Sequence, residues 1–224
     1  MLFCPAFFTI ILGYPSIEWK ILTGQSKNLV LNILSHQLDV AIINNGFILD
    51  NKEIIQTTLF EERIVLIGPV DYKKDWKSLQ YFIKEAIFVL PEKGMPLRNL
   101  IENQIFTPLN IYPKKLIEVN TTELIKEFVN NGVGFSFLPL SSLWQENVVT
   151  INQDSPKIKD GRKFRIIDLE FIKPTQKFIF VNLPTHNKSI NKIFNILQKE
   201  IYCNVNFYKK QHEFYEKIKL KDRC

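Results

Sequence analysis

The chain is poor in the residues that stage covalent or metal chemistry. It holds three cysteines, Cys4, Cys203 and Cys224, and three histidines, His36, His186 and His212, all far apart. An odd, scattered set of cysteines gives neither a disulfide framework nor metal-ligand spacing, as in a reduced protein without a metal. Glycine occurs only 8 times in 224 residues, and no Gly-rich phosphate loop is among the stretches that hold it. No nucleophile stands in motif context with a base, so the expectation is no enzyme, no cofactor and no metal. Long apolar runs are missing too: Phe7–Leu12 is too short to span a bilayer. The first residues lack a basic segment and a small-residue cleavage site, which predicts a cytoplasmic protein without membrane contact.

What is present is ordinary for a folded domain: 46% hydrophobic and 23% charged residues. The formal charge is +6, but half of it sits at the end of the chain. Asn204–Cys224 carries Lys209, Lys210, Lys217, Lys219, Lys221 and Arg223 against Glu213, Glu216 and Asp222. The body is therefore only mildly basic, and no nucleic-acid groove is expected in it. The tail reads as a solvated extension.

The most informative stretch is Asn120–Leu143 (NTTELIKEFVNNGVGFSFLPLSSL). Asn120 or Thr121 is placed to cap a helix by accepting from a free first-turn amide. Leu124, Ile125, Phe128 and Val129 recur at helical spacing. Gly132 suits the left-handed residue that ends a helix, and Gly134 leads into an apolar strand, Phe135–Leu138. Upstream, a helix at Ala6–Leu12 stops at Gly13-Tyr14-Pro15. Ile17–Thr23 (IEWKILT) alternates like a strand, Ser26 is a candidate cap for a helix through Leu34, and Leu38–Ile43 reads as a buried parallel strand. That order is a βαβ unit. Further strands are expected at Ile54–Phe60, Glu62–Ile67, Ala86–Leu90, Leu116–Val119, Val148–Ile151, Phe164–Phe171 and Lys177–Leu183. Helices are expected at Asp75–Lys84, after Pro96 and at Asn187–Glu200. Asp39, ahead of its strand, suits a structural hydrogen bond. Arg98 reads as a solvated helix position.

Taken in order, these segments resemble the effector-binding domain of LysR-type transcriptional regulators. The resemblance rests on Tyr14-Pro15, Gly24-Gln25-Ser26, Leu38-Asp39-Val40-Ala41-Ile42, Leu59 with Glu62, Gly94-Met95-Pro96-Leu97-Arg98, and the Asn-Gly-Val-Gly stretch ending in Leu138-Pro139. Ile10 replaces the family's Phe and Met95 its usual Ser.

The resemblance implies an α/β fold of the two-lobed periplasmic-binding-protein type II kind with two crossover strands. It spans residues 1–203, with lobe I at about 1–68 and 177–203 and lobe II at about 69–176. It implies a small anionic effector held by Gln25, Ser26, Gly94, Met95, Asn120, Thr121 and Thr122, and association into a homodimer or tetramer through helices Ala6–Leu12 and Lys27–Ser35. A stand-alone solute-binding protein of the same fold is the alternative. The family's helix-turn-helix, linker helix and first strand are not found before Ala6, so the expectation is a truncated product. Met1 would be an internal methionine, with DNA contact only through the missing N-terminal domain. The missing strand would lie between Ile17–Thr23 and Leu38–Ile43.

Overall fold

A computed structural model describes residues 4–45, 51–73, 78–143, 148–150, 164–167, 169 and 172–203. Two compact units form, Met1–Glu61 with Lys177–Cys224, and Glu62–Gln176. The chain leaves the first unit between Glu61 and Glu62 and returns between Gln176 and Lys177. The basic tail and residues 151–163 lie outside the described residues.

The second unit is built on alternating apolar strands. Strand β2 (Ile55–Pro69) enters it with a buried run, Ile64–Gly68. This is one continuous strand where two extended pieces were expected. Its second half pairs antiparallel with β5 (Ser136–Pro139) and with β7 (Phe164–Ile167), and β7 pairs parallel with β6 (Val148–Thr150). Strands β3 (Ile87–Pro91) and β4 (Lys115–Val119) run parallel. Phe135 joins β3 to the region of β5 through Val89 N to Phe135 O at 2.8 Å and Phe135 N to Ile87 O at 2.9 Å.

Because the pleat sends successive side chains to opposite faces, each strand feeds two cores. Ile64, Leu66, Phe88, Leu90, Phe135 and Phe137 enter one. Val65, Ile67, Val89 and Leu138 enter the other. The first core is closed by α3 (Leu79–Glu85) and by a helical stretch made of α4 (Pro96–Ile101), a π-turn (Glu102–Phe106) and α5 (Thr107–Leu109). It is aromatic: the Phe88 and Phe137 rings stack at 5.5 Å, with Phe106 edge-on to Phe137 at 6.0 Å. Each fully buried Phe contributes roughly 1.5–3 kcal/mol relative to exposure. The second core is closed by α6 (Thr122–Asn130) through Ile125 and Val129. The helix expected from Asp75 is seen at Leu79–Glu85, capped by Ser78 Oγ accepting from Tyr81 N at 3.2 Å.

The first unit contains α1 (Cys4–Gly13), α2 (Ser26–Leu34), β1 (Val40–Asn44), the part of β8 (Thr175–Asn182) from Lys177 onward, and a helix, α7, over residues 188–203. β1 pairs antiparallel with β8, from Val40↔Asn182 to Asn44↔Phe178. Val30 and Ile33 of α2 cover one face of this pair, and Phe194 of α7 meets Phe180 at 5.7 Å.

Two expectations fail here. Ile17–Thr23 is not a strand, and β1 has an antiparallel neighbour, so no βαβ unit forms. The reason is pairing. A strand is held by its ladder, and among the described residues β1 is the end of its sheet and nothing pairs with Ile17–Thr23. Alternation alone leaves Ile21 and Leu22 in solvent, 54% and 44% exposed.

Candidate functional site

In parallel α/β sheets the carboxyl ends of neighbouring strands leave free backbone and helix starts side by side. β3 and β4 end together, with Pro91 opposite Val119, and Glu92 N donates to Val119 O at 3.0 Å. Two loops therefore emerge next to each other. The first runs through Gly94 and Met95 into α4. Met95 N donates to Glu92 O at 3.1 Å, closing a turn in which Gly94 takes a φ of +88°. A Cβ there would meet nothing within 4 Å, so glycine is required by the backbone angle. The second loop is Asn120–Thr121, leading into α6. Thr121 has extended dihedrals (φ −131°, ψ 147°), and its Oγ1 accepts from Leu124 N at 3.2 Å. Of the two caps considered from sequence, Thr121 is the one used. Gly94, Asn120 and Thr121 are exposed, and Met95 and Thr122 half-buried. Thus five of the seven sequence-derived positions meet at one end of the second unit's sheet.

Beneath this edge lies Arg98, which sequence placed in solvent. It is only 6% exposed. Its Nε donates to Glu102 Oε1 at 2.8 Å, and its Nη1 donates to Glu118 Oε1 at 2.8 Å and to the Pro91 carbonyl at 3.0 Å. The α4 turn aims it inward, under the strand ends. Its charge is met by two carboxylates, so Arg98 braces the end of β3 and is not an open receptor for an anion.

The other two positions, Gln25 and Ser26, belong to the first unit. Ser26 was the expected cap. Gln25 holds that place instead, with φ −67° and ψ 140° and no side-chain cap bond, and its carbonyl accepts from Leu29 N at 3.0 Å. Ser26 is the first residue of α2. Asp39 is exposed just ahead of β1, and among the described residues the hydrogen bonds of this stretch run from Gln37 N and Leu38 N to Asn32 O, with none seen from the Asp39 side chain.

The comparisons with known proteins bear on this arrangement. The family model described as "LysR substrate binding domain" matches residues 6–159. This chain belongs to that family. The LysR-type domain is 29% identical over 178 residues to HTH-type transcriptional regulator YofA of Bacillus velezensis, covering 78% of this chain and 57% of that protein. The chain spans about half the length of the curated relatives it matches. Among solved structures it is similar to the regulatory domain of Synechocystis PCC6803 CcmR in complex with 2-PG. That match has a TM-score of 0.69 and 16% identity, over 88% of this chain and 89% of that one. It is also similar to the BenM effector binding domain with its effector benzoate, at a TM-score of 0.68 and 15% identity, over 92% and 88%. The fold is the periplasmic-binding-protein type II kind.

Several hydrogen-bonded polar side chains of the LysR-type domain carried no readable signal. Glu62 matched a family position, but its role was not legible. It is 5% exposed, and its carboxylate accepts from Ser141 N at 2.8 Å, Ser141 Oγ at 2.9 Å and Gln176 Nε2 at 2.8 Å. Gln104, in the π-turn, accepts from Thr175 N and donates to Thr175 O, both at 2.8 Å. Long-range side-chain bonds of this kind have no sequence spacing. Arg165 is buried on β7, and its Nη1 donates to the Tyr72 carbonyl. Burial pushes its guanidinium below the usual value, while the nearby Asp71 charge pulls it back up. Among the described residues no helix is long and apolar enough to cross a membrane.

Proposed function

We propose that this chain is the effector-sensing part of a LysR-type transcriptional regulator. We further propose that Gly94, Met95, Asn120, Thr121 and Thr122 contact the effector in the second unit, and Gln25 and Ser26 in the first. The observation that carries the reading is the meeting of two loops at the carboxyl ends of β3 and β4, beside the start of α6. Free first-turn amides and the helix dipole favour an anion there, which supports a small organic acid as the effector. The effector of one structural neighbour, the benzoate of BenM, is such a molecule. In a regulator of the kind named for the relatives, these residues would supply sensing and the helix-turn-helix the DNA contact. The response is a difference in effector affinity between conformations.

Calorimetric titration with a panel of small carboxylates, benzoate among them, tests this. Thr122→Tyr and Ser26→Tyr are expected to abolish binding while leaving the unfolding curve unchanged. A carboxylate that binds the folded variants as tightly as the parent removes these residues from the site.

Association accompanies this function. Phe8 and Leu12, one helical turn apart on α1, are 65% and 79% exposed, and Leu31 on α2 is 52% exposed. Such apolar exposure on two short helices suits burial against a second copy in a homodimer or tetramer. Sedimentation velocity of a Phe8→Asp, Leu12→Asp variant is expected to show a monomer where the parent associates. A parent that is monomeric at high concentration contradicts it.

A further inference from the structure

The π-turn at Glu102–Phe106 interrupts a helical stretch that starts at Pro96 and ends at Leu109. Such an insertion re-aims the side chains that follow it and is common at functional sites. Here it accompanies Gln104, whose amide grips both backbone groups of Thr175 at 2.8 Å. A side chain thus stands where a neighbouring strand would otherwise bond. The next residue, Gln176, is the last of the second unit, and its Nε2 bonds to Glu62, the first residue of that unit. Glu62 is fixed in turn by Ser141 N and Ser141 Oγ. Ile64 N closes the set by donating to Pro174 O at 2.8 Å. The strand entering the second unit and the strand leaving it are therefore fastened by one connected network. The helical stretch reaches that network from Met95, roughly 13 Å away along its axis.

We infer that helical residues 96–109 form a lever that couples the Gly94–Met95 loop to the crossover strand β8, with Gln104 as its positioning residue. The inference rests on the reading that this loop touches the effector. Physically, two short bonds to the Thr175 backbone make any shift of the helix along its axis a displacement of β8 at the point where the chain leaves the unit.

The test places a perturbation at residue 95 without needing an effector. Cys4, Cys203 and Cys224 are changed to Ser, Met95 to Cys, and the protein is labelled with fluorescein maleimide. Hydrogen exchange at the Thr175 amide is then read with and without label, in the Gln104 parent and in Q104L. Q104L alone is expected to speed Thr175 exchange about tenfold, as for loss of one hydrogen bond. The label is expected to change Thr175 exchange by about twofold or more in the parent and not in Q104L, as for the partial weakening of one hydrogen bond. A label effect of equal size in both proteins, or none in either, overturns the inference. Q104E, which keeps the acceptor for Thr175 N and loses the donor to Thr175 O, gives an intermediate rate and guards against a folding defect in Q104L. Because the label acts at residue 95 whether or not an effector binds there, failure of the effector site shows in binding experiments and not in this one.

Discussion

Replacing Gly134 by Ala is the sharpest single perturbation of this fold. A Cβ at 134 would overlap the Ile87 carbonyl oxygen and lie 3.0 Å from its carbonyl carbon and 3.1 Å from Ile87 Cγ2. Backbone cannot rotate out of the way as a side-chain tip can. β3 and the segment leading into β5 must separate, which strains Phe135 N to Ile87 O and Val89 N to Phe135 O, at 2.9 and 2.8 Å. Two weakened backbone bonds at about 1 kcal/mol each, plus about 1–2 kcal/mol of overpacking, give a loss of about 3–4 kcal/mol. Gly132→Ala meets no neighbour but holds a φ of +77°, so its loss is about 1–2 kcal/mol. Gly13→Ala meets nothing within 4 Å and has no positive φ, so it stays within about 0.5 kcal/mol of the parent. Urea unfolding followed by circular dichroism gives the three values, and hydrogen exchange at Val89 and Phe135 locates the effect. A Gly134→Ala protein as stable as Gly13→Ala refutes the reasoning.

Other outcomes follow from single groups. Ser136 is fully buried and its hydroxyl has no partner among the described residues, so Ser136→Ala is expected to match the parent or gain up to about 1 kcal/mol in the same unfolding assay; a loss of about 1 kcal/mol or more contradicts this. Arg98→Met strips the Pro91 carbonyl, Glu102 and Glu118 of their donor and is expected to lose about 1–3 kcal/mol, with Lys restoring little because it lacks the fork that reaches both carboxylates. The Glu85 carboxyl is held below the usual range first by its hydrogen bond from Lys114, with desolvation opposing and the charges of Lys114, Lys115 and Lys84 adding. A depressed folded value means that this contribution is present above the unfolded pKa and lost as pH falls through the folded one. Carbon-detected titration of Glu85 is expected to move up in Lys114→Ala and in high salt; an unmoved midpoint contradicts the assignment.

Much of the second unit was legible because its elements carry local marks. Thr121, Gly132 and the Ile125–Val129 face announce α6, and the all-apolar runs at Phe88–Leu90 and Ile64–Ile67 announce strands buried on both faces. Chain order carried the rest, since the family's segments recur in sequence. What was not legible depends on partners far away in the chain. Ile17–Thr23 alternates well but has no ladder, so the pattern alone made no strand. Arg98 looked solvated because nothing local reports that Glu118 lies beside it, 20 positions on. Ser26 lost its capping place to Gln25 by a single residue, within the ordinary uncertainty of helix ends. The Glu62–Gln176 bond joins positions 114 apart, and no spacing rule reaches that distance.

The most direct test of the central claim is amide-shift mapping of the whole chain by nitrogen-15 correlation spectra during titration with the carboxylate panel. The account predicts that a carboxylate which binds saturably shifts Gly94, Met95, Asn120, Thr121 and Thr122 in the second unit, and Gln25 and Ser26 in the first. Saturable binding that leaves all of these unmoved while shifting residues elsewhere would contradict it.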